Sequence, residues 1–122
     1  MSEFRSTNRA VSWLSPALRD FEELPEPVRE AVANALAVAA EGGKAAISKP
    51  LHGFGSGVLE VRCRFRGDAF RAVYALHAGD DIWVTRVFQK KAHQGRSTPL
   101  HHTELVATRL NRLKEMLRHG WK

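Results

Sequence analysis

A chain of 122 residues, 43% of them apolar and 26% charged, is long enough to bury a core without a metal or disulfide to hold it. A single cysteine, Cys63, excludes an internal disulfide framework, and no apolar run approaches the roughly 20 residues of a membrane span; the chain reads as one cytoplasmic domain over residues 1–122, with residues 1–8 and 119–122 as flexible ends. The net charge of +6 is unevenly spread, with six Lys/Arg against seven Asp/Glu in residues 1–50 but thirteen against six in residues 51–122, so a polyanion is expected to meet the second half.

Val11 to Leu14 can form a short strand that stops at Ser15-Pro16, a helix N-cap followed by proline at the first helical position. A short helix to about Glu23 follows, and Pro25 and Pro27 interrupt the chain. Val28, Ala31, Val32, Ala35, Leu36 and Ala39 then recur at helical spacing until Gly42-Gly43, which predicts an amphipathic helix whose Ala-rich face can lie close against a sheet. Gly53-Phe54-Gly55-Ser56-Gly57 has the composition of a phosphate-cradling loop. It precedes a strand instead of opening a helix, so it reads as a flexible lead into the sheet.

Leu59, Val61, Cys63 and Phe65 alternate with Glu60, Arg62, Arg64 and Arg66, the period-two pattern of a half-buried strand. Gly67-Asp68 suits a two-residue hairpin turn. The register it imposes pairs Phe65 with Phe70, Arg64 with Arg71, Cys63 with Ala72 and Val61 with Tyr74. Tyr74 then belongs to the core, and Glu60, Arg62, Arg64 and Arg71 gather on the opposite face. After Gly79-Asp80-Asp81, Ile82 to Phe88 forms a third strand, apolar enough to be expected at the centre of the sheet. Thr98 can cap, and Pro99 can begin, a last helix with Val106, Leu110, Leu113 and Leu117 as its apolar stripe.

Arginines 62, 64 and 71 on one face of adjacent strands need an anion or a carboxylate to offset them. Guanidinium forks match phosphate oxygens bidentately and stay charged at any physiological pH, so these residues are candidates for phosphate binding, with Glu60 as the carboxylate that ties them. A surface cation ladder is the plainer alternative. Lys90 and Lys91 follow the third strand, where neighbouring positive charge lowers a lysine's pKa and brings acid–base work nearer neutrality; the plainer alternative is a solvated charge pair. The six histidines have no metal-ligand spacing, and with one cysteine no metal site is expected. His93, close to Lys90 in sequence, is the candidate acid–base histidine.

The segment from Leu51 through Arg62, followed by Arg64, Arg71-Ala72-Val73-Tyr74, Gln89-Lys90-Lys91 and Thr98-Pro99, resembles the HigB-like, phage-derived branch of the RelE/ParE toxin superfamily, over about Trp13 to Leu113. The resemblance implies an α+β fold in which a small curved antiparallel sheet packs against N-terminal helices, with a C-terminal helix. It implies the toxin of a type II toxin–antitoxin system, a metal-independent and cofactor-free endoribonuclease that enters the ribosome and cleaves translated mRNA, neutralised by an antitoxin of helix-turn-helix type. Carried onto this chain, it makes Arg71, Lys90 and Lys91 catalytic, and Arg62, Arg64 and Arg86 RNA-binding. Thr85-Arg86 stands where many relatives have Leu-His, so Arg86 would add to the anion-binding field. A non-cleaving gyrase inhibitor of the ParE kind, or a degenerate phage remnant that binds nucleic acid or a partner, are the alternatives.

Overall fold

The structure, a computed structural model, describes residues 8–90 and 98–119. Eight elements follow in chain order: β1 (Val11–Trp13), α1 (Ser15–Glu22), α2 (Glu26–Ala40), β2 (Ser48–Pro50), β3 (Val58–Phe65), β4 (Asp68–Ala75), β5 (Ile82–Lys90) and α3 (Leu100–Arg118). The strands form one sheet in the order β1-β5-β4-β3-β2, so the fold is α+β as the resemblance implies. The four later strands are antiparallel neighbours, and β1 adds a parallel edge to β5. The centre is β4, with β5 beside it.

Strand alternation explains which residues meet which helices. Leu59, Val61, Phe70, Ala72 and Tyr74 project to one face and pack with Val28, Val32, Ala35, Leu36 and Ala39 of α2 and Ala17 of α1. Small alanines at helical spacing let α2 approach the sheet, as its sequence predicts. The opposite face is not uniformly polar. Val58, Val73, Ala75 and Phe88 on that side are covered by Val106 and Leu110 of α3, so the sheet lies between two helical layers. No helix among the described residues is long and apolar enough to cross a membrane.

The β3–β4 hairpin turns one residue earlier than the Gly67-Asp68 reading. Arg66 and Gly67 are its central residues, with φ of 55° and 84°, the positive values that a two-residue turn of primed type requires. Phe65 therefore faces Asp68, Cys63 faces Phe70, Arg62 faces Arg71 and Arg64 faces Ala69. This displaces the expected pairs by two residues. An even displacement leaves every side chain on its expected face, and Tyr74 is buried as expected, at 1% exposure.

Two helix starts also differ. Leu14 occupies the N-cap of α1 and Pro99 that of α3, neither with a side-chain cap bond; Ser15 is already the first helical residue, and the Thr98 hydroxyl is engaged elsewhere. The glycine-rich segment before β3 closes on itself by a bond from Leu51 N–H to the Val58 carbonyl, 2.9 Å, while Phe54 packs against the α3-side core. Gly57 is required there: at φ 88°, a Cβ would lie 2.2 Å from the His77 ring.

A bulge in β5 decides where its far end points. Tyr74 pairs with Val84 and Val73 with Arg86, leaving Thr85 as an extra residue. Ile82 and Val84 before it, and Val87 after it, all enter the α1/α2-side core. The extra residue thereby turns Arg86, Phe88 and Lys90 to the α3 side, the face that carries Arg71.

Candidate active site

On the α3 side of the sheet, toward the β3–β4 turn, three strands set their charged residues side by side. Lys90 pairs with Ala69 and Ala69 with Arg64; one step along, Phe88 pairs with Arg71 and Arg71 with Arg62. Adjacent strands lie about 4.8 Å apart, so Lys90 and Arg64 flank the small Ala69 and stand one step along from the Arg62–Arg71 pair.

Glu60 organises this group from beneath. Its carboxylate is wholly buried, and Oε1 accepts hydrogen bonds from Arg71 Nη1 at 2.9 Å and Arg62 Nε at 3.1 Å. The other oxygen accepts the Thr98 hydroxyl at 2.7 Å. A buried carboxylate without such partners would be costly, and the same holds for the Arg71 guanidinium at 6% exposure. Burial pushes the Arg71 pKa down, Glu60 opposes that, and Arg62 and Arg64 add to it. Arg62 is 38% exposed and Arg64 is exposed, so charge reaches solvent there.

Lys90 is 3% exposed at the end of β5. Loss of hydration is the largest influence lowering its pKa, followed by Arg71, Arg64 and Arg62, with Glu60 opposing. Four cations thus act around one carboxylate, an excess of positive charge open at Arg62 and Arg64. Lys91 and His93 lie outside the described residues. Among the described residues no three His, Cys, Asp or Glu side chains are grouped to hold a metal ion.

Arg86 stands apart from that group. It reaches around the β5 edge to Asp20 of α1 at 3.5 Å, donates from Nη2 to His102 Nδ1 of α3 at 2.9 Å, and lies over the Phe88 ring at 5.3 Å. It joins the two helical layers, and an open cleft of about 580 Å3 beside it is lined by Asp20, Phe70, Phe88 and Gln89 and by none of the other four cations. His102 stacks on Phe88 with ring centroids 3.7 Å apart. Burial, then Arg86 and His101, push its pKa down to about 4, so the neutral ring accepts at Nδ1 the hydrogen bond that Arg86 donates.

This depression has a consequence for stability. The folded protein holds the His102 proton less readily than the unfolded chain, whose histidine titrates near 6.5. The contribution is fully present above about pH 6.5 and is lost as pH falls toward 4, by up to about 3 kcal/mol. His102→Gln, which keeps an acceptor for Arg86, is expected to lose less melting temperature between pH 7 and pH 5 than the parent protein. Equal losses in the two proteins would remove His102 as the source.

Two of these residues carried no functional signal in the sequence. Thr98 looked like a helix cap, and its bond to a residue 38 positions away gives it a place at the site. His102 belongs to an adjacent pair, His101-His102, and the burial that separates its behaviour comes from the docking of α3.

Residues 19–111 match the family model described as "Phage derived protein Gp49-like (DUF891)". The chain belongs to this Gp49-like family. No curated protein sequence matches it significantly. Among solved structures, a mutant of the E. coli toxin RelE in the free state is similar over 86% of this chain and 97% of its own, at 19% identity and a TM-score of 0.58. The isolated E. coli RelE toxin is similar over 82% of this chain and 97% of its own, at 19% identity and a TM-score of 0.56. The RelBE2 toxin–antitoxin complex from Mycobacterium tuberculosis matches over 70% of this chain and 95% of the other, at 21% identity and a TM-score of 0.48. The Gp49-like chain therefore has the RelE fold, in agreement with the superfamily resemblance of its motifs.

Proposed function

We propose that this Gp49-like protein is the toxin of a type II toxin–antitoxin pair, and that it arrests translation by cutting mRNA on the ribosome. The observation that carries this reading is the convergence of Arg62, Arg64, Arg71 and Lys90 about the buried Glu60 carboxylate. A fold shared with E. coli RelE, itself called a toxin, supports the first part.

RNA brings its own nucleophile. The 2′-oxygen attacks the adjacent phosphorus as its proton leaves, a 2′,3′-cyclic phosphate forms, and the 5′-oxygen of the next nucleotide departs with a proton. The protein must stabilise the added negative charge and move two protons. Arg62, Arg64 and Arg71 supply the first, since guanidinium groups hold charge throughout and fit phosphate oxygens. Lys90, with its lowered pKa, is the described residue suited to the second, and Lys91 and His93 are further candidates by sequence. Glu60 does not take a proton in this scheme: both its oxygens already accept hydrogen bonds, and its part is to orient the arginines. Arg86 contributes positive field from the edge of β5.

The neutralising partner is an antitoxin, by family habit of helix-turn-helix type, whose acidic segment covers the arginine face. Such a complex should associate faster at low salt than at high salt. Inducing the chain alone is expected to arrest growth with mRNA cut inside reading frames. Arrest with intact mRNA would replace cleavage by a non-cleaving toxin such as a gyrase inhibitor, and unimpaired growth would overturn the toxin reading.

A further inference from the structure

We infer that the Thr98 hydroxyl is a positioning residue for the two arginines that meet on Glu60. The inference rests on the RNA-cleavage reading for its effect on rate, but its geometry stands on its own. Thr98 Oγ1 donates to Glu60 Oε2 at 2.7 Å and accepts from Arg71 Nη1 at 3.2 Å, while the same Nη1 donates to Glu60 Oε1 at 2.9 Å. One nitrogen, one hydroxyl and one carboxylate close a ring of three hydrogen bonds.

The ring fixes a rotation that the ion pair alone leaves open. A carboxylate can turn about its last bond and offer either oxygen, or both, to a guanidinium. With Oε2 held by Thr98, Glu60 presents Oε1 to Arg71 and Arg62 together, so the rotation of one carboxylate bears on where both guanidinium groups are held. The hydroxyl is available for this because α3 does not use it: Pro99 is the N-cap and no side chain caps the helix. Nor does α3 depend on it for docking, since Val106, Leu110 and Leu113 are buried against the rest of the molecule. The bond sets side-chain direction at the site.

Thr98→Val replaces the hydroxyl by a methyl group of nearly the same shape, and Thr98→Ser restores it. The first readout needs no activity: the Arg62 and Arg71 Nε–H signals in nitrogen–proton NMR spectra. Thr98→Val is expected to shift or broaden both, with Thr98→Ser close to wild type. Unchanged arginine signals in Thr98→Val overturn the inference, whatever happens to cleavage. So does a Thr98 hydroxyl proton that exchanges with water in the wild-type protein as fast as an exposed one, a measurement that requires no variant to fold.

The second readout is cleavage of ribosome-bound mRNA. Losing a charge-assisted hydrogen bond that aims a transition-state group is expected to lower kcat by roughly 10- to 100-fold. KM should change little, because the same charges remain to hold the RNA, and Thr98→Ser should recover most of the rate. A rise in KM at constant kcat would overturn the positioning role in favour of simple docking. Wild-type protein that cuts no RNA would sink the cleavage reading, while the arginine signals would still decide the ring.

Discussion

Arg71→Ala is expected to lower the stability of this protein by about 3 kcal/mol, and the melting temperature by on the order of 10 °C. On a polar strand face open to water, the same change would be nearly neutral, as the alternation of β3 alone suggests. The structure gives the opposite expectation, because Arg71 is 6% exposed and its partner Glu60 is wholly buried. Removing the arginine leaves a carboxylate in the interior whose remaining partners are the Thr98 hydroxyl and Arg62. Arg64→Ala is the contrast. Arg64 is exposed on the same face, so its loss should alter stability by no more than about 0.5 kcal/mol while weakening RNA binding. Chemical denaturation of both variants checks the pair, and an Arg71→Ala protein as stable as the parent would show that Glu60 finds other compensation.

The largest effect on activity is expected at Lys90. Lys90→Arg keeps the positive charge beside Arg64 and Arg71 but replaces a group whose pKa is lowered by one that does not exchange a proton near neutrality. If Lys90 moves a proton in the reaction, cleavage should fall by roughly 100- to 10,000-fold, with affinity for the ribosome nearly preserved. The pH–rate profile gives an independent check. Burial and three neighbouring arginines place the lysine's titration below its ordinary value of 10.5, so the wild-type profile should break below that pH and the break should vanish in Lys90→Arg. A variant that cleaves at the parent rate would leave Lys90 an electrostatic role only.

Much of the arrangement could be read from residue order. The alternation Leu59, Glu60, Val61, Arg62 placed each side chain on its face, and this survived a turn displaced to Arg66-Gly67 because the displacement was even. The apolar periods of α2 and α3 were equally legible. What alternation could not show was the cover over the second face. Glu60 and Arg71 are charged residues at strand positions that look half-exposed, yet Val73 and Ala75 continue the same face of β4 into the α3-side core. The nearly unbroken apolar run of Ala72-Val73-Tyr74-Ala75 was the available signal that β4 is buried on both sides. Ile82 to Phe88 hid its bulge for a related reason: with valines on both faces, nothing in the residue types marks Thr85 as the extra one. The face on which Lys90 lies is therefore set by its pairing with Ala69 after the bulge. Short β2 escaped because Ser48, Lys49 and Pro50 have no strand pattern, and pairing with β3 alone makes them one.

The parallel edge between β1 and β5 also orders events in time. Strands β2 to β5 are consecutive neighbours, so they can pair as each emerges from synthesis, whereas Val11 must wait for Ile82, a partner 71 residues later. At about 5 to 20 residues per second, the first strand remains without its partner for roughly 4 to 14 seconds. Glu60 meets Arg71 early, only 11 residues on, but Lys90 and Thr98 come last. Lys90 is the last of the four described cations and lies at position 90 of 122, so a nascent chain lacks the complete group until about three-quarters of it has been made.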